Sequence, residues 1–426
     1  MENIILQPQI TGPGWLDPVS VFTAYAKEKT GVAFGAGQNG IRLHMDPAMP
    51  AEGYHILTNE GGADLYASTT VGMHHGLAAL LHDLTVTDGK LTLPKLDVTT
   101  APACAYRGLM VDLARQKHPL PYVLRCIDLC WQNRASHLQL HFTDDQSFTL
   151  PLDCYPNLGT EGRTYTKEEI QTINDYAAKR GVILVPEVDI PGHTSQFFIK
   201  YPEVFGDAGV LPACDTVFEA LRSIFAEVKA MFPHSPWIHI GGDEAAIGNW
   251  EKCPRTQEYM QEHHIADLEE MYAEYIRIAT EMIFDLGCTP VVWEGFGKAY
   301  NDRISRDVIV IAWESYYQPA YDLAEAGFTL INCSWKPLYI VTPNTHWTPD
   351  EITAWHPHSW QHWWEKSVAY PDGYSIDPKY PVLGGQLCAW GDGLVGYTDI
   401  DKACTEELAL IAERLPALCA RTWNVN

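Results

Sequence analysis

The sequence of 426 residues has no apolar run near the roughly 18 residues that a membrane-spanning helix needs. Its first residues, MENIILQPQI, have neither the basic start nor the long apolar stretch of a secretory signal. We therefore expect a protein that is not inserted in a membrane. If this N-terminus is the native one, we also expect the protein to be cytoplasmic.

Positive charge is scarce in this chain. It has 29 lysines and arginines against 54 aspartates and glutamates, which gives a formal net charge of −25. Nucleic acids and anionic membrane surfaces are bound through clusters of Lys and Arg. The charge balance therefore argues against both as partners. It does not identify a substrate, and solubility is the simpler interpretation.

Paired cysteines are also missing. The 11 cysteines are an odd number, and none of them forms a C-x-x-C motif. This pattern is typical of reduced core cysteines in a cytosolic protein, and it argues against a disulfide framework or a zinc site.

From about residue 103 onward, strand-like segments alternate with helical patterns. Most of the strand candidates are continuous apolar runs, which is typical of parallel strands buried on both faces. Eight such units predict an α/β fold, a (β/α)8 TIM barrel, with a doubly wound open sheet as the alternative. The candidate strands are 107–113, 136–145, 181–189, 236–244, 289–295, 307–313, 329–334 and 382–390.

Helix signals lie between these strands. Thr166 with Glu169, and Thr216 with Glu219, have the spacing of a capping box at a helix start. The amphipathic segment 267–287 predicts a long helix that ends at Gly287.

Residues 1–102 read differently from the rest. Three strand-rich stretches and one helix, GMHHGLAALLHDL, predict a small α+β domain before the barrel. The segment TTAPAC (99–104) is a plausible junction. The expected division is therefore 1–102 for the N-terminal domain and 103–426 for the barrel.

Acids and tryptophans follow most of the predicted barrel strands, where active sites of such barrels lie. A single acid is more often a helix cap, but a convergence over most strands indicates a site. Indole rings stack on the apolar faces of a sugar ring, and carboxylates and Arg bind its hydroxyls, so the pattern predicts a sugar site. The side chains are Asp112, Arg115, Asp144, Asp145, Glu187, Asp189, His193, Asp243, Glu244, Trp293, Glu294, Trp313, Glu314, Trp390 and Asp392.

The stretch PWIHIGGDE places Asp243 and Glu244 side by side at the end of a strand. Neighbours on a strand point to opposite faces, so both acids reach one pocket only if the strand has ended. Gly241 and Gly242 permit such a break. Because two nearby acids split their pKa values, we expect a protonated Glu244 as general acid and an ionised Asp243 that orients a donor on the substrate.

Several motifs, in order along most of the chain, resemble glycoside hydrolase family 20, the β-N-acetylhexosaminidases. The stretch IHIGGDE resembles the family's H-x-G-G-D-E signature, and TVGMHHGLAALLHDL resembles the last helix of its small N-terminal domain. Further resemblances are RGLMVDLAR, LHFTDDQSF, VPEVDIPGHT, LGGQLCAW and RLPALCARTW.

The resemblance implies an exo-acting, retaining enzyme that releases terminal β-linked GlcNAc or GalNAc without a protein nucleophile. The substrate's own acetamido oxygen attacks C1 and forms an oxazolinium intermediate. Glu244 would be the acid and then the base, and Asp243 would accept the acetamido N–H. Tyr339 would donate to the acetamido oxygen, although this chain has Y-I-V where the family usually has Y-L-D.

The resemblance also assigns substrate-binding residues. Three tryptophans would enclose the acetamido group and the ring, Arg115 would bind O3 and O4, and His193 with Asp144 would tune the acid. Asp392 stands where the family usually has Glu, at the O4/O6 contact. No metal or cofactor is expected, the partner is a glycan or amino-sugar substrate, and a homodimer is left open. The tryptophans are Trp293, Trp313 and Trp390.

Other side chains receive structural interpretations. His141 is expected to be packed or hydrogen-bonded, and the pairs His74–His75 and His263–His264 are expected on the surface. Glu187 and Asp189 read as hydrogen-bond partners at the barrel end. Whether Glu294 and Glu314 contact substrate or only line the rim is left open.

The aromatic-rich stretch 346–365 predicts a helical insertion that packs on the barrel. The alternatives are a wall of the leaving-group subsite or a dimer contact. Two other functions compete with the glycosidase: a metal-dependent barrel hydrolase that uses His193 and His239, and a sugar-binding barrel without catalysis.

Overall fold

The computed structural model describes residues 3–425. None of the helices in that range combines the length and the apolar character of a membrane span. The strands are β1 (Asn3–Ile5), β2 (Gln9–Thr11), β3 (Gly35–Ala36), β4 (Ile41–Met45), β5 (Tyr54–Asn59), β6 (Gly62–Ala67), β7 (Thr85–Thr87), β8 (Lys90–Pro94), β9 (Asp97–Thr100), β10 (Tyr106–Asp112), β11 (His137–His141), β12 (Ile183–Ile190), β13 (Trp237–Gly241), β14 (Thr289–Trp293), β15 (Ile309–Ala312), β16 (Thr329–Asn332), β17 (Tyr339–Val341), β18 (Thr345–His346), β19 (Ser359–Trp360), β20 (Tyr374–Ser375) and β21 (Val382–Trp390).

The helices surround the barrel strands or cover the N-terminal sheet. They are α1 (Leu16–Thr30), α2 (Thr70–Asp83), α3 (Leu120–Asn133), α4 (Lys167–Ala178), α5 (Ser195–Lys200), α6 (Pro202–Phe205), α7 (Asp215–Met231), α8 (Pro254–Glu262), α9 (Leu268–Asp285), α10 (Ala320–Glu325), α11 (Trp335–Leu338), α12 (Pro349–Ala354) and α13 (Ile400–Trp423).

Eight parallel strands close into a barrel. They pair in the order β10-β11-β12-β13-β14-β15-β16-β21, and β21 pairs back with β10 in parallel. All eight strands predicted from the sequence are present, and the TIM barrel is confirmed. The doubly wound alternative is wrong, because an open sheet would not join its first and last strands.

The apolar runs follow from burial on both faces of the barrel wall. Every residue of β10 is buried, and its side chains alternate between two cores. Leu109 and Val111 pack outward against the helices, whereas Tyr106 and Met110 pack inside the barrel. The strands therefore end in a closed ring whose inner face leads directly to the mouth.

Helix starts follow local chemistry in most cases. Thr166 and Glu169 form the predicted capping box of α4. Helix α9 begins after its N-cap Asp267, and Gly287, at a φ of 73°, follows its end. The capping box predicted at Thr216 is wrong, because α7 already begins at Asp215 and has no side-chain cap.

The N-terminal part contains a six-stranded sheet in the order β3-β2-β4-β6-β5-β9 and a three-stranded sheet, β1-β8-β7. Helices α1 and α2 cover it, and neither α1 nor strands β7 to β9 were predicted. His263 and His264 are exposed as expected. The surface position expected for His74 and His75 is wrong, because both are buried.

The N-terminal part rests on barrel helices. The indole N–H of Trp131, on α3, donates to His74 Nδ1 at 2.9 Å, and its ring stacks on Tyr25 at 4.9 Å. Arg107 at the start of β10 pairs with Glu52. We propose that residues 1–102 form a separate domain that packs here, with the boundary predicted from the sequence.

Trp131 provides a test of this contact. Trp131→Ala should lower the free energy of unfolding by about 3–5 kcal/mol, because a buried ring is removed. Trp131→Phe should lower it by only about 1–3 kcal/mol, because it keeps a ring and loses the hydrogen bond to His74. Urea denaturation followed by circular dichroism measures both. Equal losses in the two variants would show that ring packing is not the main contribution.

Candidate active site

A cavity of about 300 Å³ opens at the carboxyl ends of the barrel strands. This is at the small end of ligand cavities in proteins, which span roughly 300–1,000 Å³. Its lining residues are Arg115, His141, Asp189, His193, Asp243, Glu244, Trp313, Trp335, Tyr339, Val341, Trp390 and Asp392. A second cavity of about 500 Å³, beside α12, contains none of the predicted site residues.

The resemblance assigns catalytic or binding roles to ten residues, and the cavity brings together all of them except Asp144 and Trp293. Asp144 lies behind the wall and contacts Arg115 and His193. Trp293 is buried and packs against Trp390, with ring centroids 5.8 Å apart. The sequence analysis did not identify Trp335 and Val341 as lining residues. Both are near Tyr339 in the sequence, but their side chains are apolar and do not indicate a catalytic role.

The two adjacent acids reach the cavity because the strand ends before them. Strand β13 stops at Gly241, and Gly241 and Gly242 have φ values of 72° and 91°. A Cβ at position 241 would lie 1.6 Å from Asp189 Oδ1, so only glycine fits there. As a result Asp243 is buried, whereas the Glu244 side chain is 48% exposed at the cavity mouth.

Glu244 belongs to a chain of charged contacts that leads into the barrel. Its Oε2 lies 3.4 Å from His193 Nε2, and His193 Nδ1 lies 3.4 Å from Asp144 Oδ1. Asp144 in turn contacts His141 at 2.9 Å and Arg115 at 3.0 Å. Both His193 and Glu244 have positive φ values, 53° and 44°, an unfavourable conformation for side chains of this kind that is concentrated at functional sites.

These contacts set the pKa values of the relay. Burial alone would lower the pKa of His193, but its contacts with Asp144 and Glu244 raise it well above the usual value. Burial would raise the pKa of Asp144, but His141 and His193 hold it far below its usual range. The contact with His193 also lowers the pKa of Glu244.

Asp243 shows the opposite shift. Burial, reinforced by the negative charge of Glu244, raises its pKa to about 7. Its neighbour Asp189, also buried, has a pKa raised well above the usual value. These two shifts run opposite to the order expected from the sequence, with Glu244 protonated and Asp243 ionised, because Asp243 is desolvated and Glu244 contacts the imidazole of His193.

Glu187 is the hydrogen-bonding centre beneath the cavity floor. It accepts from the indole N–H of Trp293 at 2.6 Å and from the Gln139 amide at 2.8 Å, and it lies 2.9 Å from His141 Nδ1. Burial would raise its pKa, but His141 and His239 lower it to about 2. Glu187 therefore has the position expected for a hydrogen-bond partner at the barrel end, because it holds Trp293 and His141 in place and does not line the cavity.

One wall of the cavity consists of stacked aromatic rings. The Tyr339 ring is sandwiched between Trp335, at a centroid distance of 4.3 Å, and Trp313, at 6.1 Å. Trp390 closes this wall at 6.2 Å from Tyr339. The Trp335 and Trp313 rings are close to parallel with Tyr339, whereas the Trp390 ring is tilted by 38°.

The opposite corner is polar. Arg115 lies 3.0 Å from Asp112, 3.4 Å from Asp392 Oδ1, and 4.9 Å above the Trp390 ring. Asp112 is fully buried and also accepts the backbone N–H groups of Ala114 and Gly391. The guanidinium is therefore held in a fixed position at the cavity wall by Asp112, Asp144 and Asp392.

The two glutamates left open differ in role. Glu294 is buried and accepts the backbone N–H groups of Trp313, Ser315 and Tyr316, so it organises the loop after β15. Glu314 lies at the rim, where its Oε1 is 3.4 Å from His362 Nε2. Burial, with the nearby Glu244, raises the pKa of Glu314 to about 8.

Some of these groups have metal-ligand spacing. Asp189, His193 and Asp243 can bring one ligand atom each within 4.8 Å of one another. His193, however, directs both ring nitrogens at carboxylates, which leaves it no free nitrogen for a cation. The arrangement is a relay of charged contacts. Two other groups have this spacing. One consists of His141, Glu187 and Asp189, and the other of Asp144, Asp145 and His193.

Comparison with known sequences gives relatives along most of the chain. A β-hexosaminidase of Vibrio furnissii is 30% identical over 331 residues, which are 69% of this chain and 54% of the relative. The β-hexosaminidase β subunit of Felis catus is 26% identical over 387 residues, 85% of this chain and 69% of the relative. The chain thus spans about half the length of the Vibrio furnissii relative.

Solved structures show the same fold. A GH20 exo-β-N-acetylglucosaminidase of Vibrio harveyi, in complex with N-acetylglucosamine, superposes on this chain with a TM-score of 0.84 at 21% identity. The superposition covers 100% of this chain and 72% of the Vibrio harveyi chain. A β-N-acetylhexosaminidase of Bacteroides fragilis superposes with a TM-score of 0.78 at 21% identity, and the match covers 99% of this chain and 88% of the Bacteroides fragilis chain. The model of the glycosyl hydrolase family 20 catalytic domain matches residues 104–423. The chain therefore belongs to glycoside hydrolase family 20.

Proposed function

We propose that the protein is an exo-acting, retaining β-N-acetylhexosaminidase that removes terminal β-linked GlcNAc or GalNAc. The observation that carries the proposal is the placement of two adjacent acids in one small cavity, with Asp243 buried inside and Glu244 at the mouth. Family membership and relatives named β-hexosaminidases support it.

Glu244 is the proposed acid and base. The bond that breaks joins C1 of the enclosed sugar to the leaving group outside, so the acid must lie where the cavity meets solvent. Glu244 gives its proton to the leaving oxygen as the C1–O bond breaks. It then takes a proton from the water that attacks C1.

Asp243 and Tyr339 are the proposed partners of the acetamido group. Asp243 Oδ1 is buried and has no hydrogen-bond partner among the described residues, so it is available to accept the acetamido N–H. With the group held, its oxygen attacks C1 as the leaving group departs and forms the oxazolinium ion. Water then reopens this ring from the same side as the departed group, which gives retention.

The protonation states of Asp243 and Glu244 before substrate binds decide how much enzyme is ready for this step. Catalysis needs an ionised Asp243 and a protonated Glu244, whereas the free cavity favours the reverse arrangement. In both arrangements the pair Asp243–Glu244 carries one proton. The productive form is therefore a minor tautomer, and its ratio to the major tautomer does not change with pH while the pair holds that proton. A bound acetamido N–H stabilises the ionised Asp243 and shifts the pair toward the productive form.

Glu244→Gln should lower kcat/KM for p-nitrophenyl β-N-acetylglucosaminide by about 10²- to 10⁴-fold, because the amide has no proton to transfer. Wild type should be inhibited by the thiazoline analogue of the oxazoline and be unaffected by EDTA. Turnover that ignores the thiazoline would mean a different nucleophile. Loss of turnover in EDTA would favour the metal-dependent hydrolase.

The ratio of GlcNAc to GalNAc turnover in the same assay reports on Asp392. If neither sugar is hydrolysed while N-acetylglucosamine still binds, the non-catalytic sugar-binding barrel becomes the better explanation.

The pH profile tests the reversed pKa order. Because burial raises the pKa of Asp243 to about 7, the last proton leaves the pair near that pH, and kcat/KM should fall tenfold per pH unit above it. On the acid side, kcat/KM should fall only below the lowered pKa of Glu244.

Asp243→Asn is the matched variant for this profile. With Asp243 unable to titrate, the alkaline limb should move to more acidic pH, to the pKa of Glu244 itself. A limb that stays near 7 would belong to another group, such as Glu294, whose pKa burial also raises to about 7.

A further inference from the structure

Two thiols that the proposed mechanism does not use lie in contact inside the barrel. Cys333 directly follows β16, Cys388 lies near the end of β21, and their Sγ atoms are 2.8 Å apart. Both side chains are fully buried. They belong to the inner core of the barrel, together with Tyr339 and Trp390 from the cavity wall. The pair therefore packs in the same cluster as the rings that line the cavity.

The strands of the barrel hold both thiols in this position. The N–H of Cys333 donates to the carbonyl of Ala312, the last residue of β15, at 2.9 Å. Cys388 pairs with Tyr339 in the register of β21 and β17. Gln386 contacts both sulfurs: its carbonyl accepts from Cys333 Sγ at 3.5 Å, and its side-chain amide donates to Cys388 Sγ at 3.6 Å. The backbone therefore presents the two thiols to each other before any reaction.

Contact between two thiols is the geometry from which a disulfide forms. The S–S bond of a disulfide is about 2.0 Å long, so the two sulfurs would need to approach by only about 0.8 Å. Once one thiol is oxidised, its neighbour attacks it in an intramolecular reaction, which is strongly favoured over attack by a separate molecule. Burial raises the pKa of the Cys333 thiol well above its usual value, so little thiolate is present and the first step is slow at neutral pH.

We propose that Cys333 and Cys388 are an oxidation site, at which a hydroperoxide such as hydrogen peroxide converts the two thiols to a disulfide that lowers turnover until it is reduced. One thiolate attacks a peroxide oxygen and breaks the O–O bond, which leaves a sulfenic acid and, with the thiol proton, one water molecule. The second thiol attacks the sulfenic sulfur, forms the S–S bond and releases the oxygen as a second water molecule. The pair thereby loses two electrons and two protons, and the peroxide gains both.

The disulfide acts on the cavity wall through the chain. Cys388 lies two residues before Trp390 on β21, so their side chains point to the same face of the strand. Cys333 lies two residues before Trp335, which also lines the cavity. Drawing the sulfurs together displaces these rings, and a displacement of about 1 Å in a catalytic site can lower turnover by roughly 10²-fold. The effect on turnover rests on the proposed function, whereas the formation of the bond does not.

The disulfide also closes a loop in the chain. Cys333 and Cys388 are 55 positions apart, on either side of the segment that carries Tyr339. The aromatic-rich stretch 346–365 lies in the same loop, and the helix predicted there is confirmed only for Pro349–Ala354. Because both ends of this loop are joined by the bond, the part of the cavity wall that it supplies loses freedom to adjust to a sugar.

The first test treats the folded wild-type protein with hydrogen peroxide, alkylates the remaining thiols and maps the digested protein by mass spectrometry. We expect two of the 11 thiols to disappear and a linked peptide to form that contains Cys333 and Cys388 and is lighter by two hydrogens. Dithiothreitol should restore both thiols. If these two cysteines are still alkylated after other thiols have been oxidised, the proposal is wrong.

Hydrolysis of p-nitrophenyl β-N-acetylglucosaminide measures the effect of the bond on the cavity. We expect kcat/KM to fall by about 10- to 100-fold as the linked peptide accumulates and to return with dithiothreitol. The recovery distinguishes the disulfide from methionine sulfoxide, for example at Met110 in the same core, because dithiothreitol does not reverse that oxidation. An unchanged kcat/KM in the fully linked protein would overturn the proposed effect on turnover.

Two variants remove the bond one thiol at a time. Cys333→Ala and Cys388→Ala cannot form it, so their kcat/KM should resist peroxide; either variant suffices if the other does not fold. Cys154→Ala is the matched control, because it removes a thiol that is exposed to the peroxide. It should be inactivated as wild type is. Reversible inactivation that persists in Cys333→Ala or Cys388→Ala, or that is lost in Cys154→Ala, would overturn the proposal.

The proposed function is judged separately. It fails if reduced wild type hydrolyses no aryl N-acetylglycosaminide, and that result does not depend on the two thiols. The peptide map decides the disulfide in either case. If no substrate is hydrolysed, calorimetric binding of N-acetylglucosamine replaces kcat/KM as the measure of the cavity, and it should weaken when the linked peptide forms.

Discussion

The mouth of the barrel depends on the burial of carboxylates. Asp112, Asp144 and Glu187 lie inside a low-dielectric ring, where an unpaired charge would be very unfavourable. Arg115, His141 and His193 supply the compensating charge, and each cation touches at least two carboxylates. Removing one member would leave its partners charged and buried, so the group is held together as a unit.

Asp243 lies beside this network and differs from its members. Unlike Asp112, Asp144 and Glu187, it has an oxygen without a hydrogen-bond partner among the described residues, and burial raises its pKa, as it also raises that of Asp189. Backbone geometry creates that position, because the glycines at 241 and 242 end the strand early and bring both acids into the cavity. In the proposed function, the N–H of the substrate acetamido group would pair with this oxygen.

The sequence revealed the barrel because its strands are buried on both faces and read as apolar runs. It placed most of the candidate site residues at the mouth of the barrel, because acids and indoles follow the ends of strands. It did not reveal α1, whose apolar stripe of Val21, Phe22 and Tyr25 is short and interrupted, or the hairpin β7–β8 around Asp88 and Gly89. The buried positions of His74 and His75 and the opposite pKa shifts of Asp243 and Glu244 depend on contacts between distant segments, and local pattern does not encode these.

The left-handed backbone at Glu244 has an evolutionary consequence. A φ of 44° is unfavourable for a long side chain and easily adopted by Gly or Asn. In the proposed mechanism, exchange of Glu244 for either residue would end proton transfer. It would relax the backbone and also remove one of the two carboxylates that contact His193. The sugar cavity and its aromatic walls would survive this step. Under the proposed function, a single substitution would thus separate sugar binding from hydrolysis, with the relaxed backbone offsetting the lost ion pair with His193.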